Sequence, residues 1–183
     1  MLISAEYLKQ NKILHERSVE FGASGFRWVD EVVRLVTEHK FETVLDYGAG
    51  KGLLRKGVMS RLPNLTFQNY DPAIPRWSAD PKPADLLVCT DVVEHIEPER
   101  LQDVLDHMAR LTLSYCLITG ATRPATKKLP DGRNAHLIQE NFAWWLEQLS
   151  SRFVMEKFST DTSIQEFHFY GSPGMGGGQP VSK

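Results

Sequence analysis

Short apolar runs alternate along this chain with longer stretches in which apolar residues recur every three or four positions. The short runs are rich in β-branched and aromatic residues, which is typical of strands. They span residues 43–45, 65–70, 84–90, 113–119, 153–158 and 164–170. The last two runs follow each other closely and predict an antiparallel pair at the end of the chain.

The periodic stretches predict helices, and most of them fall between the strands. Ser4 can cap the first helix, and Pro98 suits the first turn of a later one. The predicted helices span residues 5–15, 26–38, 53–62, 98–111 and 140–152. In the second of these, Phe26 and four valines share one apolar face. Alternation of strands and helices predicts an α/β fold with a mostly parallel sheet and right-handed crossovers.

The stretch TVLDYGAGKG, residues 43–52, stands where the first strand meets its helix. Glycines at positions 48, 50 and 52 allow a sharp turn and leave the main chain bare for a ligand to approach. The helix that follows would also point its N-terminal amides at that ligand. A carboxylate at the end of the second strand, Asp71, can accept both hydroxyls of a ribose.

Two kinds of nucleotide site fit such a loop. The dinucleotide pattern G-x-G-x-x-G needs a third glycine at position 53, which is Leu53. The chain instead reads D-x-G-x-G-x-G from Asp46, and this resembles the first motif of class I methyltransferases that use S-adenosylmethionine (SAM). The resemblance implies that Asp46 lies near the methionine end of SAM and that Asp71 holds its ribose. The cofactor residues that it implies are Asp46, Tyr47, Gly48, Ala49, Gly50, Gly52, Asp71, Pro72, Thr90, Asp91 and Val92.

The chain departs from that family after the second strand. Fewer than 20 residues separate Asp71 from Thr90, which is too few for the helix and strand that full-length members carry there. We therefore expect a three-layer Rossmann-like sheet, mostly parallel with an antiparallel C-terminal strand, that lacks one helix–strand unit after the second strand. The adenine ring then needs another neighbour, and Ile74 or Trp77 could supply one.

The composition is that of an ordinary globular domain, with 183 residues, 42% hydrophobic residues and a net charge of −2. We expect an N-terminal helical lid or packing segment at 1–40, a methyltransferase core at 41–170 and a disordered tail at 171–183. No run is long enough to span a bilayer and no leader is recognised, so no membrane role is expected. Cys89 and Cys116 have no partner at metal-ligand spacing and are expected to be buried thiols of a cytoplasmic protein.

The segment that follows residues 84–90 reads T-D-V-V-E-H and carries three polar side chains near the expected cofactor site. In a structural interpretation, Asp91, Glu94 and His95 only cap and pack. In a second interpretation His95, with His136, serves as a general base for the acceptor. In a third, Asp91, Glu94, His95 and His136 bind a divalent metal. The metal is an alternative that the sequence does not favour.

A resemblance supports the metal interpretation. Methyltransferases of ubiquinone biosynthesis, and those that methylate the terminal 2′-hydroxyl of small RNAs, carry a similar acid-x-x-Glu-His segment that ligates a metal. The RNA enzymes add a histidine from a later loop, where this chain has His136. Asp91 replaces the usual first glutamate and shortens the reach of that ligand.

The acceptor side is less defined. The loop 123–136 contains four cations, Arg133 among them, and could contact a carboxylate or phosphate of the acceptor. Tyr7, Arg133 and Trp144 are the candidate substrate residues.

The function expected is a SAM-dependent methyltransferase that moves a methyl group by in-line displacement to an oxygen or nitrogen of a small or terminal acceptor. The partner expected is therefore a small molecule. The alternatives are a metal-assisted RNA-ribose methyltransferase, with RNA as partner, and a SAM-binding regulatory module without catalysis. The sequence does not predict the oligomeric state.

Overall fold

The computed structural model describes residues 2–18 and 22–174, which form five α-helices and six strands. The helices are α1 Ala5–Arg17, α2 Val29–His39, α3 Leu53–Arg61, α4 Leu101–Leu111 and α5 Phe142–Ser150. The strands are β1 Thr43–Tyr47, β2 Thr66–Tyr70, β3 Ala84–Thr90, β4 Thr112–Ala121, β5 Phe153–Asp161 and β6 Glu166–Pro173. Among the described helices, none has both the length and the apolar character needed to cross a bilayer.

The strands form one sheet in the order β2-β1-β3-β4-β6-β5. The first four strands are parallel, and β6 lies antiparallel to both of its neighbours. This confirms the predicted mixed sheet with an antiparallel strand near the end of the chain. Because β2 is an edge strand that connects directly to β3, the helix–strand unit expected to be missing is indeed absent from the described part of the chain.

Helices cover both faces of the sheet. Val44 and Leu86 point to the face covered by α2 and α3, whereas their neighbours Leu45 and Leu87 pack with α4 and α5. Alternate residues of a strand point to opposite faces, so strands buried on both sides read as continuous apolar runs. The three-layer architecture follows from this double burial.

Several element ends differ from the expected ones by a few residues, and two of these differences correct an interpretation. A 3-10 turn, Ser24–Trp28, precedes α2, and Phe26 is 64% exposed instead of sharing the buried face of the helix. β6 continues to Pro173, and the Gly174 amide donates to the Arg152 carbonyl at 3.0 Å, so the predicted tail at 171–183 begins too early. Residues 175–183 lie outside the described residues.

Candidate functional site

A cavity of about 330 Å³ opens at the carboxyl ends of the parallel strands. Its walls come from the loops after β1, β2, β3 and β4, and α1 lies across it. Carboxyl ends of parallel strands are where open α/β sheets bind ligands. The cavity is therefore the candidate site.

The loop after β1 gives the cavity a wall of bare backbone. Gly48 and Gly50 have φ of +83° and +48°, which side-chain-bearing residues rarely adopt. The amides of Gly48 and Ala49 donate to the Tyr70 carbonyl at 2.8 and 3.0 Å, which ties the loop to the end of β2. A Cβ at Gly48 would lie 2.4 Å from the Val92 side chain, so only glycine fits.

Two buried carboxylates, Asp46 and Asp71, line the cavity together with this loop. Asp71 accepts from the Gly50 amide at 2.9 Å through one oxygen and from the Ala73 amide at 2.9 Å through the other. Asp46 is the last residue but one of β1. Burial raises the pKa of Asp46 to about 8, and the charge of Asp71 adds to the shift. Asp46 is therefore mostly protonated at neutral pH until a cation approaches.

Ten of the eleven residues predicted to bind the cofactor line the cavity. Gly52 does not: it is the N-cap of α3 at φ +72°, and a Cβ there would lie 2.4 Å from the Trp77 ring. Its role is to let Trp77 pack onto the start of the helix. Ile74 and Trp77, which were expected to neighbour the adenine ring, do not line the cavity, whereas Tyr70, Ala73 and Val104 do.

Helix α1 supplies a wall that the sequence indicated only in part. Tyr7 was predicted, but Asn11 and His15 also line the cavity from the next two turns of the same face. The Tyr7 hydroxyl donates to the His95 carbonyl at 2.5 Å, and burial raises the Tyr7 pKa to about 12. Polar residues four apart on one helix face were the signal that could have identified Asn11 and His15.

The segment that contains α1 is also attached to the glycine loop. The Lys51 ammonium donates to the His15 carbonyl at 2.7 Å, and the Lys51 amide donates to the Gly22 carbonyl at 2.8 Å. We call residues 2–18 and Gly22 the strap. A ligand in this part of the cavity would lie between the strap and the glycine loop that follows β1.

Asp91 does not join Glu94 and His95, and this corrects the predicted set of metal ligands. Its backbone has φ +57°, and its side chain pairs with Arg27 at 2.8 Å. The prediction placed all three side chains on one helical turn, whereas the turn starts only at Val93. Arg27 also binds the buried Glu166 at 2.9 Å, which fixes Asp91 at the rim of the cavity.

Glu94, His95 and His136 do converge, with one ligand atom of each within 4.8 Å of the others. The Glu94 carboxyl accepts from the Ala121 amide through one oxygen, and its other oxygen has no hydrogen bond among the described residues. Burial raises the pKa of Glu94 to about 8, with Asp91 adding to the shift, and it lowers the pKa of His95 to about 4.

Both histidine rings bind backbone carbonyls through Nδ1. His95 Nδ1 lies 2.8 Å from the Ala135 oxygen and His136 Nδ1 lies 2.6 Å from the Arg123 oxygen. A carbonyl can only accept, so each Nδ1 carries a proton. Burial also lowers the pKa of His136, so both rings are neutral at pH 7 and can act as bases or ligands through Nε2.

Two predicted substrate residues lie away from the cavity. Arg133 is exposed and binds Asp131 at 2.8 Å. Trp144 stacks edge-on against Trp145 on the core side of α5. Neither lines the cavity.

No protein-family model and no curated protein sequence matches this chain. Solved structures do. The 1,6-didemethyltoxoflavin-N1-methyltransferase of Burkholderia thailandensis, solved with 1,6-didemethyltoxoflavin and S-adenosylhomocysteine (SAH), matches with a TM-score of 0.65 and 13% identity over 91% of this chain and 87% of that one. The N-methyltransferase NodS of Bradyrhizobium japonicum, in complex with SAH, matches with a TM-score of 0.57 and 13% identity over 80% and 86%.

An O-methyltransferase family protein from Burkholderia thailandensis matches with a TM-score of 0.59 and 16% identity over 85% of this chain. The match covers 59% of that protein, so this chain spans about three fifths of its length. At these identities the matches establish a shared fold.

Proposed function

We propose that this chain, which has the class I methyltransferase fold, transfers the methyl group of SAM to an oxygen or nitrogen of a small molecule. The observation that carries the proposal is the pairing of a bare glycine loop with two buried carboxylates at one end of the cavity. Three structures that share the fold are of proteins named as methyltransferases, and two of them hold SAH.

Each part of that end suits one part of SAM. The glycine loop admits the amino-acid half against backbone, and the amides at the start of α3 favour its carboxylate. Asp46 would pair with the ammonium group, and Asp71 would accept the two ribose hydroxyls. Tyr70, Ala73 and Val104 leave an apolar wall beyond the ribose for the adenine ring.

Methyl transfer then depends mainly on placement. The sulfonium carries an excellent leaving group, so holding the acceptor in line with the methyl group and excluding water supplies most of the rate. The strap covers the cavity and can provide that exclusion. When the acceptor must lose a proton, His136 or His95 can accept it through Nε2.

Calorimetry with SAH, followed by incubation with methyl-labelled SAM and a fractionated small-molecule extract, tests the proposal. We expect SAH to bind and label to appear in a small-molecule fraction. Binding of SAH without transfer to any fraction would favour the regulatory module, and the absence of SAH binding would refute the proposal.

Binding of the cofactor should release a proton from Asp46. The free protein holds that proton at pH 7 because the pKa of Asp46 is about 8, and an ammonium group placed beside the carboxyl favours its ionised form. Affinity for SAH should therefore rise between pH 6 and pH 8. Calorimetry at pH 7 in phosphate and in Tris should show that close to one proton leaves.

Asp46→Asn is the control for that measurement. The asparagine amide cannot ionise, so this variant should bind SAH more weakly. Its binding should release about one proton fewer than binding to the wild type. Equal proton counts for the two proteins would contradict the assignment of Asp46 to the ammonium group.

A metal-assisted transfer is the second candidate, and the convergence of Glu94, His95 and His136 favours it. One carboxylate oxygen and two imidazole nitrogens suit manganese, iron or zinc, and a cation would meet the Glu94 oxygen that has no other partner among the described residues. These three residues, without Asp91, would hold the ion. When bound, it would polarise an acceptor hydroxyl.

Thermal unfolding with EDTA, MgCl₂, MnCl₂ or ZnCl₂ tests this candidate. An ion at 100 times its dissociation constant should stabilise the protein by about 2.7 kcal/mol, and Glu94→Gln should abolish the shift. His39→Gln, on the exposed end of α2, is the matched control. No shift with any ion, or an equal shift in Glu94→Gln, would refute the metal site.

A further inference from the structure

One end of the cavity remains once the cofactor has been assigned to the glycine loop and the ends of β1 and β2. We call it the acceptor end; it is lined by residues from the segments 2–11, 95–97, 123–127 and 135–136. Its charges and hydrogen-bonding groups determine what kind of molecule can receive the methyl group.

The guanidinium groups near the acceptor end are already paired with carboxylates. Arg123, which lines the cavity, binds the buried Glu166 at 3.0 Å. Arg27 bridges Glu166 and Asp91 at 2.9 and 2.8 Å. Two arginines and two carboxylates therefore neutralise each other at the rim.

The remaining charged groups that line this end are one cation and one carboxylate. The Lys127 ammonium donates to the Ser18 hydroxyl at 2.7 Å. The Glu97 carboxylate accepts from the Ser4 amide at 2.8 Å. Lys127 and Glu97 carry one charge of each sign, so together with the paired arginines and carboxylates the charged side chains of this end sum to zero. An anion entering this space would lose its hydration without a net positive charge to compensate for it, which is costly. The predicted contact between the cations of residues 123–136 and an anionic acceptor is thus disfavoured.

Apolar groups make up most of the rest of this surface. They belong to the strap, to the residue after the His95 turn and to the loop after β4. They are Ile3, Tyr7, Ile96, Pro124, Ala125 and Ala135. Such walls bind the apolar body of a small molecule.

His136 is the polar group that gives this end a direction. Its Nδ1 lies 2.6 Å from the Arg123 carbonyl oxygen and donates to it, so Nε2 is the ring nitrogen left for a ligand and is the one that can accept a hydrogen bond. The ring lines the cavity. A ligand must therefore bring a donor to this position.

We infer that the methyl acceptor is an uncharged molecule with an apolar body that presents a hydroxyl or N–H group to His136. This inference rests on the proposed function, because it assumes that SAM occupies the glycine loop. In the reaction, the acceptor oxygen or nitrogen forms a bond to the methyl carbon while the sulfur–methyl bond breaks. The bonding electrons go to sulfur to give SAH, and the acceptor proton goes to Nε2 of His136.

Four naphthalene probes of one shape test the inference against the SAH-saturated protein at pH 7. 2-Naphthol and 2-naphthylamine are neutral donors, 2-naphthoate is an anion, and 2-methoxynaphthalene is neutral without a donor. We expect the two donors to bind at least tenfold more tightly than the other two probes, measured by calorimetric titration. Preference for 2-naphthoate, or binding of none of the four, would overturn the inference.

A variant tests the role of His136. His136→Phe keeps the ring but removes the acceptor atom, so 2-naphthol should bind no more tightly than 2-methoxynaphthalene. His39→Phe, an exposed histidine away from the cavity, should keep the tenfold difference. A difference that survives in His136→Phe would overturn the assignment of that residue.

The SAH titration of the same samples separates the two levels of the proposal. If SAH does not bind the wild-type protein, the proposed function fails whatever the probes do. If SAH binds to the wild type and to His136→Phe alike, the variant is folded and the probe results bear on the acceptor alone.

Discussion

Replacing Asp71 with alanine should weaken SAH binding by about 100-fold or more. The carboxylate would accept two ribose hydroxyls, and hydrogen bonds to a charged group contribute about 1.5–3 kcal/mol each. It also holds the glycine loop through the Gly50 amide and the adjoining turn through the Ala73 amide. A loss of about 2.7 kcal/mol corresponds to 100-fold in affinity.

Isothermal titration with SAH measures the effect, and two further variants interpret it. Asp80→Ala removes an exposed carboxylate from the same connection and should leave the affinity unchanged. Asp71→Asn keeps one acceptor oxygen and should lose less affinity than alanine. An Asp71→Ala protein that folds and binds SAH within threefold of wild type would rule out this residue as the ribose ligand.

The sheet and the glycine loop could be predicted from sequence because the residues that determine them are close together in the chain. β3 begins and ends at the predicted residues 84–90, since a strand buried on both faces is a continuous apolar run bounded by polar residues. The glycine loop is equally local, because its backbone conformation depends on the glycines themselves. The short link from Asp71 to Thr90 likewise fixed the number of strands by length alone.

The contacts that complete the site are not local, and they account for most of the errors. Asp91 was expected to face the same way as Glu94, but Arg27, 64 residues earlier, holds its side chain elsewhere. Gly52 was read with Gly48 and Gly50 as one motif, although Trp77 determines its role. Arg133 pairs with Asp131 within its own loop. Spacing shows which residues are near in sequence, but it does not identify a partner from a distant element.

The strap is the clearest case of a contact from a distant part of the chain. Because the strap packs against Gly50, adding a single methyl group to that residue should disturb the site. A Cβ on this residue would lie 2.5 Å from the Gly22 oxygen and 2.6 Å from the Gly22 Cα. Both are backbone atoms that cannot rotate away, so the hydrogen bond from Lys51 to Gly22 must break and the strap must move. We expect Gly50→Ala to weaken SAH binding by about 30-fold, equivalent to about 2 kcal/mol, and to speed hydrogen exchange across α1.

Gly132→Ala is the control that separates this contact from backbone strain. Gly132 also has positive φ, at +90°, but a Cβ there would meet nothing within 4 Å. Both variants carry the penalty of a left-handed alanine, about 1–2 kcal/mol, and only Gly50→Ala adds the clash with the strap. If the two variants bound SAH equally well and their α1 amides exchanged hydrogen equally slowly, the strap would not enclose the cofactor. If only Gly50→Ala lost SAH affinity and slow hydrogen exchange in α1, enclosure by the strap would be part of how the site holds its ligand.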